Sequence, residues 1–254
     1  MVGTGRTGDA AGTADTAAAV EGPAAARAPL TRYRVLREAV AVADEAGLDA
    51  LTMRRLGQRL GVEAMSLYNH VANKDDLLDG MADLVSAEFA VPAPGQGWRE
   101  ALRLAATSAH EVLLRHPWAS TLLESRSSPG PARLRYLNGV VGALVDSGYP
   151  IQLAYHAVLT LDSYIYGFAL QEASTPVPPD QAAEAAEAFV AGLPDGEYPH
   201  LVAMAQLVMH PDYDRGADFD FGLTLVLDAL DRLHPAPRAR GRRDGARPGS
   251  GSAP

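Results

Sequence analysis

The spacing of the apolar residues constrains the fold of this 254-residue chain more than any other feature. Between residues 30 and 234 these residues recur every three or four positions, which is the period of a helix with one buried face. The one stretch with strand-like alternation, 219–225, continues into apolar residues at helical spacing, and no partner strand occurs elsewhere in the sequence. The pattern therefore predicts an all-α protein.

Residues that begin and end helices divide the chain into many short segments. In residues 31–88 four helices are predicted, with starts and stops at Thr31, Gly47, Thr52, Gly61 and Asn73. Behind a Pro- and Gly-rich break at 91–97, longer helices are predicted at about 98–115, 118–125, 131–147, 151–173, 180–192, 198–209 and 216–233.

The two ends lack the apolar residues that could offset the entropy of ordering. We predict a disordered head over 1–29 and a disordered tail over 235–254. The head has no basic start followed by a Leu-rich run, so no signal peptide is expected. The longest apolar stretch, 151–173, is interrupted by polar residues, which argues against a membrane span. We expect a cytoplasmic protein without a membrane partner.

The segment 51–71 reads LTMRRLGQRLGVEAMSLYNHV and matches a helix-turn-helix. Gly61 can adopt the left-handed conformation that ends the first helix. The apolar residues of the segment then face the preceding helix and hold the pair in place; they are Leu56, Leu60, Leu67 and Val71. The same geometry also occurs in ordinary helical bundles, so the turn alone does not establish DNA binding.

The residues left on the outward face of the second helix are of types that contact DNA; they are Ala64, Met65, Ser66, Tyr68 and Asn69. Asn69 can bond bidentately to adenine, Ser66 can reach a phosphate or a base edge, and Ala64 and Met65 can touch a thymine methyl. The candidates for phosphate contacts are Thr52, Arg54, Tyr68, His70 and Lys74.

The charge distribution supports DNA binding, although the net charge of −9 argues against it at first sight. Residues 30–74 contain seven basic and five acidic side chains, whereas residues 75–233 contain eight basic and 22 acidic ones. A basic module on an acidic body is expected if only the module meets phosphate.

Catalytic and metal-binding patterns are absent from the sequence. The chain has no cysteine, which excludes thiolate chemistry and disulfides, and its seven histidines show no metal-ligand spacing. We predict no enzyme activity, no metal and no cofactor.

The residues 31–85, above all LTMRRLGQRLGVEAMSLYNHVANKDDLLDGM (51–81), closely resemble the DNA-binding domain of the TetR family of transcriptional repressors. More weakly, the body resembles the tetracycline-repressor branch at Trp98, at His116-Pro117, at Gly167 within SYIYGFALQE, and at FDFGLTLVLDALDRL (219–233). The positions where that repressor holds a magnesium–drug chelate through histidines fall near Ala90 and Leu123 here, which argues against tetracycline as the inducer.

The resemblance implies an N-terminal three-helix helix-turn-helix domain (30–75) followed by a larger helical-bundle domain for ligand binding and dimerisation (76–234). The homodimer interface would use the helices at about 151–173 and 216–233. It further implies repression at a palindromic operator in double-stranded DNA and release by a small-molecule inducer. An activator of the same fold, an α-helical enzyme with an incidental helix-turn-helix, and a protein-assembly module are the alternatives.

Several polar and aromatic side chains on the body helices are of types that line ligand pockets between bundle helices. Ordinary core or interface packing explains each of them individually as well. The candidates for the inducer pocket are Trp118, Tyr136, Tyr155, His156, Thr160, Asp162 and Tyr164.

Overall fold

The computed structural model describes residues 29–174, 181–210, 212–214 and 216–234. Within these residues the chain forms eleven α-helices and no strand, which confirms the all-α prediction. The helices are α1 Arg32–Ala46, α2 Met53–Leu60, α3 Ala64–Leu67, α4 Lys74–Ser86, α5 Trp98–Arg115, α6 Ala119–Ser125, α7 Pro131–Asp146, α8 Ile151–Ser174, α9 Ala182–Ala191, α10 Pro199–Met209 and α11 Gly216–Arg232. The predicted disordered head and tail lie outside the described residues, apart from Pro29.

The ends of the first helices are set by the residues that the sequence indicated. The side-chain oxygens of three N-cap residues, Thr31, Thr52 and Asn73, each accept a hydrogen bond from a backbone N–H three residues further on, at 3.2, 3.1 and 2.8 Å. Each bond satisfies one of the free N–H groups in the first turn of a helix. Local sequence therefore determines where α1, α2 and α4 begin.

The ambiguous segment 219–225 lies inside α11. Phe219, Leu223, Leu227 and Leu230 are buried at helical spacing on one face of this helix. The alternation that resembles a strand arises because Phe221 and Leu225 are also apolar but lie on the exposed side.

The main core lies between the long helices of the body. α8 packs on α5 and α7, and α11 packs on α5 and α8. Large side chains that are almost fully buried fill this core, among them Leu102, Leu113, Tyr136, Leu144, Leu161 and Ile165.

The helix α4 connects the front of the molecule, which consists of α1 to α3, to the body, which consists of α5 to α11. It packs on α1 at the front and on α6 and α7 in the body. The predicted domain boundary after residue 75 therefore falls in the first turn of a continuous helix.

By its contacts the chain divides into Met1–Leu30 and Thr31–Pro254, and the second unit contains all eleven helices. No helix among the described residues is long and apolar enough to cross a membrane.

Candidate DNA-binding surface and ligand site

Two glycines, Gly57 within α2 and Gly61 at its end, allow the tight turn between α2 and α3. Gly61 has φ 68° in the left-handed region, which a residue without Cβ adopts at little cost. Val62 N donates to Gly57 O at 2.9 Å, which brings the start of α3 against α2. A Cβ on Gly57 would lie 2.9 Å from Val62 O and 3.2 Å from Ala64 N, so only glycine fits at this close approach.

The nine predicted DNA-binding residues are all accessible to solvent. Met65 is 74% exposed and Tyr68 44% exposed. Thr52, Arg54, Asn69 and Lys74 are exposed as well, while Ala64, Ser66 and His70 are half-buried. The inward residues Leu56, Leu60, Leu67 and Val71 are buried, so the motif has one packed side and one free side.

Tyr68, Asn69 and His70 lie in the turn directly after α3 rather than within it. The helix ends at Leu67, and Tyr68, Asn69 and His70 form a turn in which each N–H bonds to the carbonyl three residues earlier. The expectation that Tyr68 and Asn69 lie on the second helix is therefore wrong in this detail. The chain tightens at this point into the i to i+3 pattern that is frequent at helix ends.

The basic residues of the front fall into two groups. Arg59 bonds to Glu38 and Glu45 at 2.7 and 2.5 Å, and Arg32 forms a bidentate pair with Asp76. Within the described part of the chain, Arg54 and Lys74 form no ion pair. The paired arginines hold α1 against α2 and α4, whereas Arg54 and Lys74 are exposed to solvent.

The Arg32–Asp76 pair also fixes the start of α4. Asp76 accepts hydrogen bonds from Arg32 and from the Ala72 N–H, and these lower the pKa of its carboxyl. Because Arg32 additionally donates to His70 O at 3.0 Å, this one side chain ties α1 to the turn after α3.

The structure does not bring the seven predicted pocket residues together. Tyr155, His156 and Thr160 are exposed on α8, and Tyr155 is 59% exposed. Tyr164 donates its hydroxyl to Phe219 O at 2.7 Å and thereby joins α8 to α11. Trp118 is half-buried and donates its Nε1–H to Asp44 of α1 at 2.6 Å.

The remaining two candidates, Tyr136 and Asp162, meet at Arg133. Arg133 donates to Asp162 at 3.0 Å, and its guanidinium lies 5.3 Å from the ring centre of Tyr136 and 5.4 Å from that of Tyr166. Burial raises the pKa of the Asp162 carboxyl, against the opposing effect of Arg133. Burial also raises the pKa of Tyr136.

Beside Arg133 lies a cavity of about 140 Å³ between α4, the loop after α6 and the start of α7. Its lining includes Ser86, Arg126 and Arg133, none of which the sequence pattern indicated. No local signal could have found them, because the packing of separate helices brings residues 86, 126 and 133 together. Asp83 of α4 also lines the cavity. It accepts a hydrogen bond from the Ala132 N–H at 2.7 Å and thereby caps the start of α7.

A second polar contact joins the front of the molecule to the body. Asp44 Oδ1 of α1 is 2.7 Å from His116 Nδ1 and accepts from Trp118 Nε1.

Another histidine contacts a carboxylate within the body, where His110 Nε2 lies 2.5 Å from Glu172 Oε2. The described residues contain no group of three or more side chains that could hold a metal ion.

Several helices of the body expose large apolar side chains, among them α10 at Met204 and Leu207, α8 and α11. On α8 these are Ile151, Tyr155, Leu159 and Leu170, and on α11 they are Phe221 and Leu225, each at least 48% exposed. A helix that is apolar on two sides is expected when both sides are covered.

Comparison with known proteins places the chain in a family. The model of bacterial regulatory proteins of the tetR family matches residues 35–81, and that of the tetracyclin repressor-like C-terminal domain matches residues 91–233. The HTH-type transcriptional repressor DrrR1 of Streptomyces coeruleorubidus is 33% identical over 91% of this chain and 92% of its own length. Tetracycline repressor protein class D of Escherichia coli is 30% identical over 73% of this chain and 82% of its own.

A solved structure gives the same result. The Streptomyces coelicolor TetR family protein ActR, in complex with (S)-DNPA, matches with a TM-score of 0.68 and 30% identity, covering 81% of this chain and 99% of ActR. The match spans both the helix-turn-helix and the body. The chain thus belongs to the TetR family of transcriptional regulators, with a tetracycline repressor-like domain behind its DNA-binding helices.

Proposed function

We propose that this chain is a transcriptional repressor that binds a palindromic operator as a homodimer and is released by a small-molecule inducer. The observation that carries the proposal is the helix-turn-helix of α2 and α3. Its inner side is packed, and its outer side presents Met65, Tyr68 and Asn69 to solvent. A repressor acts where the DNA is, so the proposed location is the cytoplasm. Repression by binding to an operator requires no catalytic step.

We assign recognition of the DNA sequence to α3 and to the turn that follows it. Asn69 offers an amide that can pair with adenine, and Ser66, Ala64 and Met65 can contact neighbouring base edges. Arg54 and Lys74, which form no ion pair within the described residues, are assigned to phosphates together with Thr52, Tyr68 and His70.

Dimerisation is assigned to the exposed apolar faces of α8 and α11. One copy of the motif reads few bases, whereas two copies about 34–36 Å apart span successive major grooves. Ile151, Tyr155 and Leu159 of α8 and Phe221 and Leu225 of α11 would be buried in such an interface. This assignment explains the exposure of Tyr155 better than a place in the inducer pocket does.

Inducer binding is assigned to the body. The relative ActR binds a small molecule, (S)-DNPA, in its solved structure. In this chain α4 packs on both α1 and α7, so a ligand that favours a different packing of α4 would change the separation of the two motifs. A coupling of about 1–3 kcal/mol between the two sites would weaken operator binding roughly 5- to 150-fold.

Selection from random duplex DNA tests the proposal directly. The full chain should enrich a palindrome whose half-site centres are about 10 base pairs apart, or a multiple of one helical turn. Fluorescence anisotropy with the enriched duplex then gives the affinity. If no palindrome is enriched even at low salt, the repressor function is wrong.

Two variants separate base recognition from phosphate contact. Asn69→Ala should relax the preference at one base pair, at a cost of about 1–3 kcal/mol on the selected site. Lys74→Ala should weaken binding to all sequences alike and reduce the salt slope by about one unit. Equal behaviour of the two variants would contradict the assignment of Asn69.

A further inference from the structure

A crevice of about 480 Å³ lies where α1, α4 and the corner after α5 meet. Its walls therefore come from both the front and the body of the molecule. The volume falls within the range of about 300–1,000 Å³ that is typical of small-molecule sites. Most of the lining belongs to one face of α1 and to the end of α4; it includes Tyr33, Arg37, Val40, Asp44, Glu88 and His116.

The charged groups at the Asp44 end of the crevice already have partners. Asp44 Oδ1 lies 2.7 Å from His116 Nδ1 and accepts from Trp118 Nε1 at 2.6 Å. Glu88 accepts from Arg115 at 2.7 Å and lies 3.4 Å from His116 Nε2. Because both carboxylates are matched by neighbouring donors, this end requires no cation from a ligand.

Arg37 gives the other end of the crevice a different character. It lies seven residues before Asp44 on α1, which separates the two positions by about 10 Å along the helix. Arg37 is exposed and forms no ion pair within the described part of the chain. Tyr33, one helical turn away, is 59% exposed and also lines the crevice. A guanidinium beside a phenol offers hydrogen-bond donors that suit a carboxylate.

An apolar strip connects the two ends of the crevice. Val40 and Ala41 of α1 and Leu84 of α4 line it and are half-buried, so part of their apolar surface still meets water. Covering such surface with the apolar part of a ligand is favourable. The crevice thus combines a cation that has no ion pair with an apolar strip about 10 Å long.

We propose that this crevice is a small-molecule site, separate from the cavity between α4 and α7, and that it binds organic anions with one carboxylate and an apolar body. The carboxylate binds Arg37 and Tyr33, and the apolar body lies along Val40 and Leu84. Because α1 belongs to the front and the corner after α5 to the body, a ligand here contacts both at once and resists a change in their packing. The inference goes beyond the proposed function and does not depend on operator binding.

Three probes with the same ring and chain test the chemical class: 4-phenylbutanoate, 4-phenylbutanol and 4-phenylbutylamine. They carry a carboxylate, a neutral hydroxyl and a cation. In titrations of the full chain followed by ligand-detected NMR, the carboxylate should bind about 5- to 10-fold more tightly than the alcohol or the amine. This preference should shrink in about 1 M salt, where the ion pair is screened. Equal binding of the alcohol, or tighter binding of the amine, would overturn the proposal.

Two arginines provide a matched pair of variants that locate the site. Arg37 and Arg135 are both exposed and form no ion pair within the described residues, but only Arg37 lines this crevice. Arg37→Gln should weaken the carboxylate about 5- to 10-fold, to the level of the alcohol, and Arg135→Gln should leave it unchanged. Equal losses in the two variants, or no loss in Arg37→Gln, would contradict the location.

A second pair of variants fills the apolar strip without changing a charge. Ala41→Leu adds a side chain within the crevice and should weaken the carboxylate and the alcohol alike, by about 5-fold or more. Ala46, exposed at the end of α1, does not line the crevice, so Ala46→Leu is the control. Urea unfolding verifies that both variants are folded. Unaltered probe binding by a folded Ala41→Leu variant would show that the crevice is not the site.

All of these measurements are made without DNA, which separates the inference from the proposed function. If the full chain selects a palindrome but shows no preference for the carboxylate, only the site in the crevice is wrong. If it binds the carboxylate through Arg37 but enriches no DNA, the site stands and the repressor function fails.

Discussion

The front and the helical body both carry arginine ion pairs at the surface, but the body also buries one arginine among aromatic rings. At the front, Arg32 and Arg59 form ion pairs at the surface, and Arg54 is exposed without an ion pair among the described residues. In the body, the Arg133 side chain is only 11% exposed, pairs with Asp162 and lies against the rings of Tyr136 and Tyr166. The front thus keeps exposed arginines within reach of solvent, whereas the body withdraws one of its arginines into the core.

The two regions also differ in how completely they cover their apolar residues. The front buries Leu56, Leu60 and Leu67 and exposes mainly the side chains assigned to DNA. The body exposes apolar faces on α8 and α11, at Leu159 and Leu225 for example. In the proposed homodimer the front would stay exposed while the apolar faces of α8 and α11 would be covered, and the following variants test this difference.

The largest effect is expected from a charge on the exposed face of α11. Leu225, which is 56% exposed, would be buried in the proposed dimer. Leu225→Glu should give a monomer in analytical ultracentrifugation and weaken operator binding at least about 100-fold, or ~3 kcal/mol. Leu134 of α7 is exposed to a similar extent, 53%, outside the proposed interface, so Leu134→Glu is the matched control. A dimeric Leu225→Glu variant would show that α11 is not the interface.

A smaller effect is expected from filling the close approach within the front. Gly57→Ala places a methyl group 2.9 Å from the Val62 carbonyl oxygen, and backbone cannot move aside as a flexible side chain can. We expect the free energy of unfolding to fall by about 2 kcal/mol. Gly142 of α7 has open space at the same position, so Gly142→Ala should be neutral or stabilise by about 0.5–1 kcal/mol. Urea unfolding measures both, and a stable Gly57→Ala variant would contradict the tight turn.

The smallest effect is expected from the two arginine-paired carboxyls, whose pKa values shift in opposite directions. Arg32 lowers the pKa of Asp76, so this pair stabilises the fold above the ordinary pKa of 3.8, and the contribution is lost as the pH falls through the lower folded value. Asp76→Asn should therefore cost about 1 kcal/mol at pH 7, and the difference from the unaltered chain should shrink as the pH falls below the ordinary pKa.

Asp162 should show the reverse dependence. Burial raises its pKa, so its favourable contribution is present at low pH and is lost as the pH rises through the folded value. Asp162→Asn fixes the neutral form and should become less unfavourable, relative to the unaltered chain, as the pH increases. Unfolding by urea between pH 3 and pH 7 compares the variants, and the same pH trend in both would show that burial does not separate these two pairs.

The front of the molecule was largely predictable because its signals are local. Thr52, Gly61 and Asn73 act on backbone groups within four residues, so their effects can be read from the sequence. The end of α3 at Leu67 was not predicted, since the tightening of the following turn depends on contacts such as that of Arg32 with His70 O.

The candidate pocket was predictable only in part. The sequence indicates Tyr136 and Asp162 because polar groups on apolar helices are conspicuous, and both contact Arg133 without lining the cavity. It does not indicate Ser86 and Arg133, because their meeting depends on how α4 packs against α7. The sequence pattern also gives no means of telling the inner from the outer apolar face of α8, which is why Tyr155 was assigned to the pocket although it is exposed.

Lys74, the exposed first residue of α4, is the only lysine among the 254 residues. Reagents that acylate ε-amines therefore have one side chain to modify, and it lies at the edge of the surface assigned to DNA. Protection of this single amine would report operator occupancy without an engineered label. Acylation of this amine would remove a charge from that surface without breaking an ion pair of the described residues, so under the proposed function we expect it to weaken DNA binding.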